Sequence, residues 1–453
     1  MLALSSTPFP SVYANFFYIH AMKPSQGKLP LSIIAIVLCI FAFIGVLYNE
    51  DTGSLSSASL AKLSPCSKQE AVDNSRESAK VDKNRSKIPA VDEELDDMDD
   101  DEKPEFDPTK CDVAKGKWVF NSSAKPLYSD RTCPYLDKQV SCVKNGRPDS
   151  DYRHWEWQPD NCILPRFNST AALEKLRGKR LMFVGDSLQR SQWQSFVCLV
   201  ESVIPADQKS MRRGRSLSIF KAKEYNATIE FYWAPFLVES NSDLHIKADP
   251  KERILRVDSI YKHAKNWLDV DILVFNTYVW WMSGLKIKSL WGSFANGEDG
   301  YEELDAPIAY RIALKTWANW VDSTIDPNKT RVLFTTMSPT HMRSLDWHNK
   351  KGIRCYNETR PVLERGYWGT GSDKRIMDAV NGVVERMTVP VSFINITQIS
   401  EHRIDGHTSV YTEVQGKILT DEQKADPQRY ADCIHWCLPG VPDTWNQLFY
   451  AYL

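Results

Sequence analysis

The chain has 453 residues, with 56 basic and 58 acidic side chains and a net charge of −2. This length accommodates one large folded domain of about 250–350 residues plus appendages. The chain has no excess of positive charge of the kind that binds nucleic acid, so no nucleic-acid partner is expected.

The first 108 residues divide into three segments of different composition. Residues 1–30 carry Lys23 and Lys28 and no acidic side chain, and residues 31–48 are 18 residues without a charge. An apolar stretch of that length nearly spans a bilayer, and the flanking lysines place residues 1–30 in the cytosol. We therefore predict a cytosolic tail (1–30) and a single-pass signal anchor (31–48), with a cleaved signal peptide as the alternative. Residues 49–108 are polar and strongly acidic at their end, which predicts a disordered stem.

Cysteines and glycosylation sequons indicate the lumen of the secretory pathway. Eight cysteines follow the stem, an even number without paired Cys-x-x-Cys zinc spacings, so disulfides and no metal site are expected. These are Cys111, Cys133, Cys142, Cys162, Cys198, Cys355, Cys433 and Cys437. Asn-x-Ser/Thr sequons, which are glycosylated only in that compartment, follow the stem at Asn121, Asn168, Asn226, Asn328, Asn357 and Asn395, and another lies at Asn84 within it.

Residues 109–166, called the N-terminal module below, are loop-rich and contain four of these cysteines and many aromatic side chains. This composition predicts a disulfide-stapled cap on a larger domain formed by residues 167–453. The aromatic side chains of such a cap could line a sugar groove, or they could compensate for a small core. Cys433 and Cys437 bracket His435, so bridges from them would fix that segment to the rest of the domain. We expect at least one of the two to bridge to the module, which would make the module necessary for activity.

A strand, a tight turn and a helix follow in direct succession. Leu181 to Val184 is a short apolar run, Gly185, Asp186 and Ser187 interrupt it, and Leu188 to Val200 has apolar residues at helical spacing. A strand–turn–helix places its turn at the carboxyl edge of a parallel sheet, where open α/β folds bind ligands. Ser187 could act there as a nucleophile whose oxyanion is stabilised by its own N–H. The alternative is that Asp186 or Ser187 only caps the helix.

Strand-like and helix-like segments alternate through the rest of the chain. This alternation predicts a parallel three-layer α/β/α domain. The further strands are predicted at Thr228 to Trp233, Asp271 to Phe275, Arg331 to Thr335 and Val389 to Ile396, and the clearest helices at Ile308 to Val321 and Arg375 to Met387.

Two polar residues are candidates for stabilising a developing negative charge beside Ser187. Asn276 follows a predicted strand, so its amide N–H₂ can point into the same pocket, although a plain turn residue is the alternative. Arg190 lies one helical turn after Ser187, where it can contact substrate or pair with a nearby acid. Gly185 and Asp186 complete this candidate oxyanion and substrate site.

The other end of the chain supplies the partners that a serine nucleophile needs. Asp432 precedes His435 by three residues, so one loop or single turn can carry both a base and the carboxylate that orients it. Alone this spacing is more often an ordinary polar turn. Together with Gly185-Asp-Ser187 it predicts the triad Ser187, His435 and Asp432, in the chain order used by GDSL/SGNH esterases.

The combination of motifs resembles the plant trichome birefringence-like family of Golgi polysaccharide O-acetyltransferases, over roughly residues 109–453. The resemblance rests on Cys111-Asp with Gly116-Lys-Trp-Val119, Gly185-Asp-Ser-Leu-Gln-Arg190, Asn276-Thr-Tyr-Val-Trp-Trp281, Asp405-Gly-His407 with Ser409-Val-Tyr411, and Asp432 to Asn446. It implies an SGNH-like fold, a type II Golgi membrane location and acetyl transfer from acetyl-CoA or a derived acetyl carrier, with no bound cofactor.

The acceptor implied by the resemblance is a cell-wall polysaccharide. The stretch Trp280-Trp-Met-Ser-Gly284 is most similar to the xylan-acting members, while other members act on mannan, xyloglucan or pectin. Two other hypotheses remain: a polysaccharide acetylesterase that uses the same triad, and a non-catalytic wall-polymer binding protein.

Overall fold

The computed structural model describes residues 104–107 and 110–453, which fall within one compact unit, residues 92–453. The predicted tail (1–30) and anchor (31–48) lie outside the described residues, and so does the stem except for 104–107. Within the described ranges, no helix combines the length and apolar character needed to cross a bilayer.

Strands and helices alternate through the described part of the chain. The strands are β1 (Gly116–Phe120), β2 (Trp155–Pro159), β3 (Arg180–Gly185), β4 (Lys209–Arg213), β5 (Leu217–Ala222), β6 (Ala227–Trp233), β7 (Glu239–Ser240), β8 (Ile254–Arg256), β9 (Ile272–Asn276), β10 (Lys286–Leu290), β11 (Tyr301–Asp305), β12 (Arg331–Thr335), β13 (Val391–Ile394), β14 (His407–Ser409), β15 (Glu413–Val414), β16 (Lys417–Ile418) and β17 (Asp432–Trp436). The helices are α1 (Ser169–Lys175), α2 (Ser187–Glu201), α3 (Tyr261–Ala264), α4 (Ala306–Thr324), α5 (Lys374–Val384), α6 (Thr397–Glu401), α7 (Asp421–Lys424), α8 (Pro427–Tyr430) and α9 (Val441–Tyr452).

The main sheet has seven strands in the order β13-β12-β9-β3-β6-β5-β4, with β3 at its centre. The five strands from β13 to β6 are parallel, which confirms the predicted parallel strands. β5 pairs with β6 and the edge strand β4 pairs with β5, both in antiparallel orientation, and the sequence did not predict these two strands. The chain leaves β3 for β6 on one side and later returns to β9 on the other. The carboxyl end of β3 is therefore the switch point at which α/β sheets bind ligands.

The sheet lies between two layers of helices. Alternate residues of β3 face opposite sides: Leu181 and Phe183 enter a core with α1, α2 and α9, whereas Met182 and Val184 enter a core with α4 and α5. This period-2 alternation within the uninterrupted apolar run Leu181 to Val184 is what a strand covered on both faces requires. The two cores hold the serine strand rigidly and leave only its end open to a ligand.

The N-terminal module forms a small two-stranded antiparallel sheet, β1 with β2. Trp118 and Trp157 face each other across it edge-to-face, with ring centroids 5.5 Å apart. Their indole N–H groups donate to the carbonyls of Ile399 and Val113, so both buried rings also have their polar atom satisfied. Through Trp118 this little sheet packs on the larger domain.

Four disulfides join the eight cysteines of the described chain. The pairs are Cys111–Cys162, Cys133–Cys198, Cys142–Cys437 and Cys355–Cys433. Cys111–Cys162 is internal to the N-terminal module, whereas Cys133–Cys198 ties the module to α2 and Cys142–Cys437 ties it to the segment after β17. The expected bridge from Cys433 or Cys437 to the module is confirmed by Cys142–Cys437.

Loss of the Cys142–Cys437 bridge is expected to impair both stability and turnover. The double change Cys142→Ser/Cys437→Ser opens a cross-link between residues 295 positions apart. We expect the free energy of unfolding to fall by about 2–5 kcal/mol, and turnover to fall because Cys437 lies two residues from His435. Urea unfolding and turnover measure the two effects.

The matched control is Cys111→Ser/Cys162→Ser, which removes the bridge internal to the module. It should cost stability while largely retaining turnover. Free thiols at Cys433 or Cys437 in non-reducing peptide maps of the wild type would contradict the assigned pairing.

Candidate active site

Ser187 is the first residue of α2 and directly follows the turn at the end of β3. Asp186 is the N-cap of this helix and accepts a 2.9 Å hydrogen bond from the N–H of Leu188. The serine hydroxyl is thereby placed at the open edge of the sheet, next to the N-terminal end of a 15-residue helix dipole. Capping by Asp186 and a nucleophilic Ser187 therefore coexist in one turn.

Gly185 is required at its position by the close approach of the neighbouring strand. In the β3–β9 ladder it stands opposite Asn276, and a Cβ added to it would lie 2.1 Å from the carbonyl oxygen of Asn276. Any side chain would push the two strands apart at the point where the serine turn begins.

Asp432 and His435 lie on β17, which pairs with β14 in antiparallel orientation. The sequence predicted a loop or single turn here, and the structure corrects this to a strand. Its two ends are cross-linked, because Cys433 is bonded to Cys355 and Cys437 to Cys142. The base is therefore carried by a strand with little freedom to move.

The three predicted triad residues meet in a single hydrogen-bonded chain. His435 Nε2 lies 2.7 Å from Ser187 Oγ, and His435 Nδ1 lies 2.7 Å from Asp432 Oδ2. The other carboxylate oxygen of Asp432 accepts hydrogen bonds from the backbone N–H groups of Ile434 and His435, each at 3.0 Å. All three side chains are only partly exposed. This geometry is that of a nucleophile, a base and the carboxylate that orients the base.

The carboxylate of Asp432 is held in its charged form. Burial alone would raise its pKa, but the His435 imidazole and the two backbone N–H donors outweigh burial and hold the pKa of Asp432 below its usual range. An ionised Asp432 favours the tautomer with hydrogen on Nδ1, which leaves Nε2 free to take the Ser187 proton.

The pKa of Asp186 is shifted in the opposite direction from that of Asp432. Its side chain is fully buried, and burial raises its pKa to about 6 even though the N–H groups of Leu188 and Gln189 and the nearby His435 and Arg190 lower it. Its Oδ2 has no hydrogen-bond partner among the described residues. Asp186 thus supports the turn from inside and is not exposed to a substrate.

Arg190 is anchored by residues of the N-terminal module. Its guanidinium donates to Gln139 Oε1 at 3.0 Å and lies 3.5 Å from Asp137 Oδ2. Asp137 is in turn held by Gln194, whose Nε2 donates to Asp137 Oδ2 at 2.6 Å. An ion pair with an acid, the alternative raised for Arg190, is therefore present, and the pair belongs to a network that reaches the triad.

Gln139 completes that network and was not identified from the sequence. Its Nε2 lies 3.2 Å from His435 Nδ1, while its Oε1 accepts from Arg190. No spacing or motif marks a glutamine in a loop-rich segment 48 residues before the serine. Only the disulfide and the packing of the module bring it to the triad.

Asn276 is the last residue of β9, and its amide is oriented differently from the prediction. Its Nδ2 donates to the carbonyls of Thr335 and Thr336, at 3.0 and 3.1 Å. Both amide hydrogens are therefore used in hydrogen bonds to the backbone at the end of β12. Thr335 is the last residue of β12 and Thr336 follows it, so the Asn276 amide satisfies two backbone carbonyls at the end of this strand. The expected orientation toward Ser187 is wrong for this structure, and a role of Asn276 in stabilising an oxyanion stays a prediction.

Aromatic side chains lie beside the serine turn. Trp233 ends β6 directly opposite Gly185 in the sheet, and its ring meets Trp280 edge-to-face at 5.5 Å. Trp280 is partly exposed, with the Arg253 guanidinium 4.0 Å above its ring, whereas Trp281 is fully buried and donates to Thr277 Oγ1. Of the two adjacent tryptophans, only Trp280 is available at the surface of the site.

Two buried histidines lie behind β17. His341 Nδ1 is 2.6 Å from His407 Nε2, and His407 Nδ1 is 3.1 Å from the carbonyl oxygen of His435. Burial lowers the pKa of His341 to about 4 and lowers the pKa of His407 well below its usual range. Both imidazoles are therefore neutral near pH 7 and support the strand that carries the base.

This pair should make the fold sensitive to mild acid. In the unfolded chain a histidine binds a proton with a pKa near 6.5, so between about pH 6.5 and pH 5 the unfolded state binds more protons than the native state and stability falls as pH falls. We expect His341→Asn to reduce the loss of unfolding free energy between pH 7 and pH 5 by about 2 kcal/mol. Urea unfolding of the wild type and the variant at pH 7 and pH 5 measures this difference in unfolding free energy.

The comparison with the variant is needed because Asp186 and Asp443 oppose this trend. Burial raises the pKa of each to about 6, so their native forms take up protons over the same range and gain stability as pH falls. An identical pH dependence in wild type and His341→Asn would contradict the assignment of a neutral buried His341.

Sequence comparisons show which family the chain belongs to. Residues 164–452 match the PC-Esterase family, described as a GDSL/SGNH-like acyl-esterase family found in Pmr5 and Cas1p, and residues 109–163 match the PMR5 N-terminal domain. The chain is 60% identical to "Protein trichome birefringence-like 3" of Arabidopsis thaliana, over 95% of this chain and 99% of the relative. In Oryza sativa subsp. japonica it is 54% identical to "Probable xylan O-acetyltransferase 8", over 96% of this chain and 99% of the relative. It is 50% identical to "Xylan O-acetyltransferase 3", over 76% of each. The chain is therefore a member of the trichome birefringence-like family, with a GDSL/SGNH-like PC-Esterase domain preceded by a PMR5 N-terminal domain.

Proposed function

We propose that this protein is a polysaccharide O-acetyltransferase that acetylates xylosyl residues of xylan. The observation that carries the proposal is the continuous Ser187–His435–Asp432 hydrogen-bonded chain, with 2.7 Å at each link, at the open end of the sheet. Two relatives that are 54% and 50% identical over the aligned residues are named "Probable xylan O-acetyltransferase 8" and "Xylan O-acetyltransferase 3", which supports xylan as the acceptor.

The first half-reaction loads the enzyme. His435 Nε2 takes the Ser187 proton as Ser187 Oγ attacks the acetyl carbonyl carbon of the donor. The tetrahedral oxyanion forms beside the N-terminal end of α2, whose dipole stabilises negative charge there. Collapse of this intermediate breaks the bond to the donor, whose leaving group takes the proton from His435, and leaves acetyl-Ser187. We propose acetyl-CoA or a derived acetyl carrier as the donor, with no bound cofactor.

The second half-reaction transfers the acetyl group. A xylosyl hydroxyl gives its proton to His435 and attacks the acetyl-Ser187 carbonyl carbon. Collapse of the second tetrahedral intermediate returns the proton to Ser187 Oγ and releases the acetylated sugar. A polymer held beside the triad presents its hydroxyl at high effective concentration, which lets it compete with water.

The test is transfer by the purified luminal domain. Offered an acetyl donor with unacetylated xylan, mannan, xyloglucan or pectin in separate reactions, the enzyme should yield acetylated xylan by mass spectrometry. Acetylation of one of the other polymers alone would replace xylan as the acceptor.

The runner-up is a polysaccharide acetylesterase, which the acyl-esterase description of the family favours. It uses the same acetyl-Ser187 step with water in place of the sugar hydroxyl. Release of acetate from acetylated xylan, with no acetylation of the unacetylated polymer, would establish the esterase instead. A non-catalytic polymer-binding protein would bind xylan in the Ser187→Ala variant and show no turnover in the wild type.

We further propose that the protein is a glycosylated type II protein of the Golgi membrane, anchored by residues 31–48. Four disulfides support a luminal domain. Five sequon asparagines are exposed, as glycosylation requires, at Asn168, Asn226, Asn328, Asn357 and Asn395, and Asn121 is partly exposed. Protease added to intact Golgi vesicles should remove only residues before Leu31. Digestion of the catalytic domain without detergent would contradict this topology.

A further inference from the structure

The short segment Asp137–Gln139 of the N-terminal module reaches into the active site. Its first residue is fixed on α2, because the Asp137 N–H donates to Gln194 Oε1 at 3.0 Å and Gln194 Nε2 donates back to Asp137 Oδ2. Its last residue is fixed by Thr412, whose hydroxyl donates to the Gln139 carbonyl at 3.0 Å. The Gln139 side chain therefore projects from a backbone that is held at both ends.

The orientation of the Gln139 amide follows from its partners. Arg190 has only hydrogen-bond donors, so the atom of Gln139 that faces it at 3.0 Å must be the oxygen. The amide N–H₂ is then the group that lies 3.2 Å from His435 Nδ1.

Asp432 and Gln139 favour different protonation states of His435 Nδ1, because Asp432 accepts a hydrogen bond and the Gln139 N–H₂ donates one. The Nδ1 nitrogen can make only one hydrogen bond in the plane of the ring. It either carries a hydrogen and donates to Asp432, or carries a lone pair and accepts from Gln139. Only the first tautomer leaves Nε2 able to accept the Ser187 proton. The charge-assisted bond to Asp432, at 2.7 Å, is the stronger of the two and prevails in the intact site.

We propose that Gln139 is a positioning residue: its amide oxygen holds Arg190, and its N–H₂, which faces the Nδ1 edge of His435, is the second polar group, after Asp432, able to set the tautomer of that histidine. In the intact site its oxygen holds Arg190 beside the triad, while Asp432 accepts the Nδ1 hydrogen of His435. When Asp432 is removed, the Gln139 N–H is left facing Nδ1 and stabilises the tautomer that cannot act as a base. The N-terminal module thereby supplies a working part of the site.

A carboxylate at position 139 should therefore replace the one at position 432. Glutamate has the shape of glutamine, so one oxygen can keep the bond to Arg190 while the other accepts the Nδ1 hydrogen of His435. We expect Gln139→Glu in the Asp432→Ala background to react at least about tenfold faster than Asp432→Ala alone, because the base-competent tautomer is restored. In the otherwise wild-type protein, Gln139→Leu should slow the reaction about tenfold, because Arg190 loses the amide oxygen that holds it beside the triad.

The readout is the rate at which a tagged fluorophosphonate labels Ser187 in the purified full-length protein. This probe reports a base-activated serine and needs neither the acetyl donor nor the polysaccharide. Lys138→Glu in the Asp432→Ala background is the matched control, because it puts a carboxylate on an exposed neighbouring side chain. It should give no rescue. Circular dichroism confirms that each variant is folded.

The inference rests on the proposed function, and the probe separates the two. If the wild type is not labelled at Ser187, the proposed serine mechanism fails. If the wild type is labelled and Gln139→Glu rescues Asp432→Ala while Lys138→Glu does not, the positioning role is supported. If the wild type is labelled and Gln139→Glu gives no more rescue than Lys138→Glu, the positioning role of Gln139 is overturned and the triad stands.

Discussion

Ser187→Ala, His435→Ala and Asp432→Ala are each expected to reduce acetyl transfer by about 10⁴- to 10⁶-fold, with Asp432→Ala the mildest of the three. The reason is the single chain of hydrogen bonds through the three side chains, in which each group is useful only when the next is present. Steady-state transfer to xylan, followed by mass spectrometry of the polymer, measures the loss.

The double variant Ser187→Ala/His435→Ala sharpens this prediction. Because the residues act as one unit, the double change should cost little more than either single change. Circular dichroism and the urea midpoint should stay close to those of the wild type in all the variants. If the fold loss in the double variant equalled the product of the losses in the two single variants, the serine and the histidine would act independently.

The second large effect is expected at Gly185. An alanine there would place its Cβ 2.1 Å from the Asn276 carbonyl oxygen and 2.8 Å from Gln189 Cβ, neither of which can move without disturbing β9 or α2. The overpacking should cost about 1–3 kcal/mol of unfolding free energy. Turnover should fall at least about 100-fold, since the displaced turn carries Ser187 away from His435. Urea unfolding and acetyl transfer measure the two effects.

Gly382→Ala is the matched control for that substitution. Gly382 lies within α5, and a Cβ added to it would meet nothing within 4 Å. Alanine should leave turnover unchanged and raise the unfolding free energy by up to about 1 kcal/mol, because glycine is a poor helix former. Wild-type turnover in Gly185→Ala would show that the serine turn tolerates a side chain and would contradict the tight packing described here.

The central strands and the triad were predictable because their signals are local. Leu181 to Val184 is apolar without interruption, as a strand buried on both faces must be, and its turn residues identify the strand's carboxyl end. The antiparallel edge strand Lys209–Arg213 has a largely polar, exposed sequence, so no hydrophobic pattern distinguishes it from a loop. Parallel strands can be inferred because they alternate with helices. The β4–β5 hairpin at the sheet edge has no intervening helix, so it cannot be inferred in this way.

The rest of the site depends on contacts between distant parts of the chain. Gln139 lies 296 residues from His435 in sequence, and a glutamine in a loop carries no chemical signature of its own. The orientation of Asn276 was mispredicted because the competing acceptors, the carbonyls of Thr335 and Thr336, come from another strand. The Asp432–His435 segment was expected to be a loop because its pairing partner, His407–Ser409, is a short, irregular strand.

The most direct test of the serine mechanism is to trap the acyl-enzyme. The purified wild-type protein incubated with acetyl donor and no polysaccharide should carry one added acetyl mass on the peptide that contains Ser187, and adding xylan should remove it. Ser187→Ala should carry none at that peptide and should transfer no acetyl group. Full transfer activity in Ser187→Ala would contradict the account and would indicate direct attack by the sugar hydroxyl with His435 as its base.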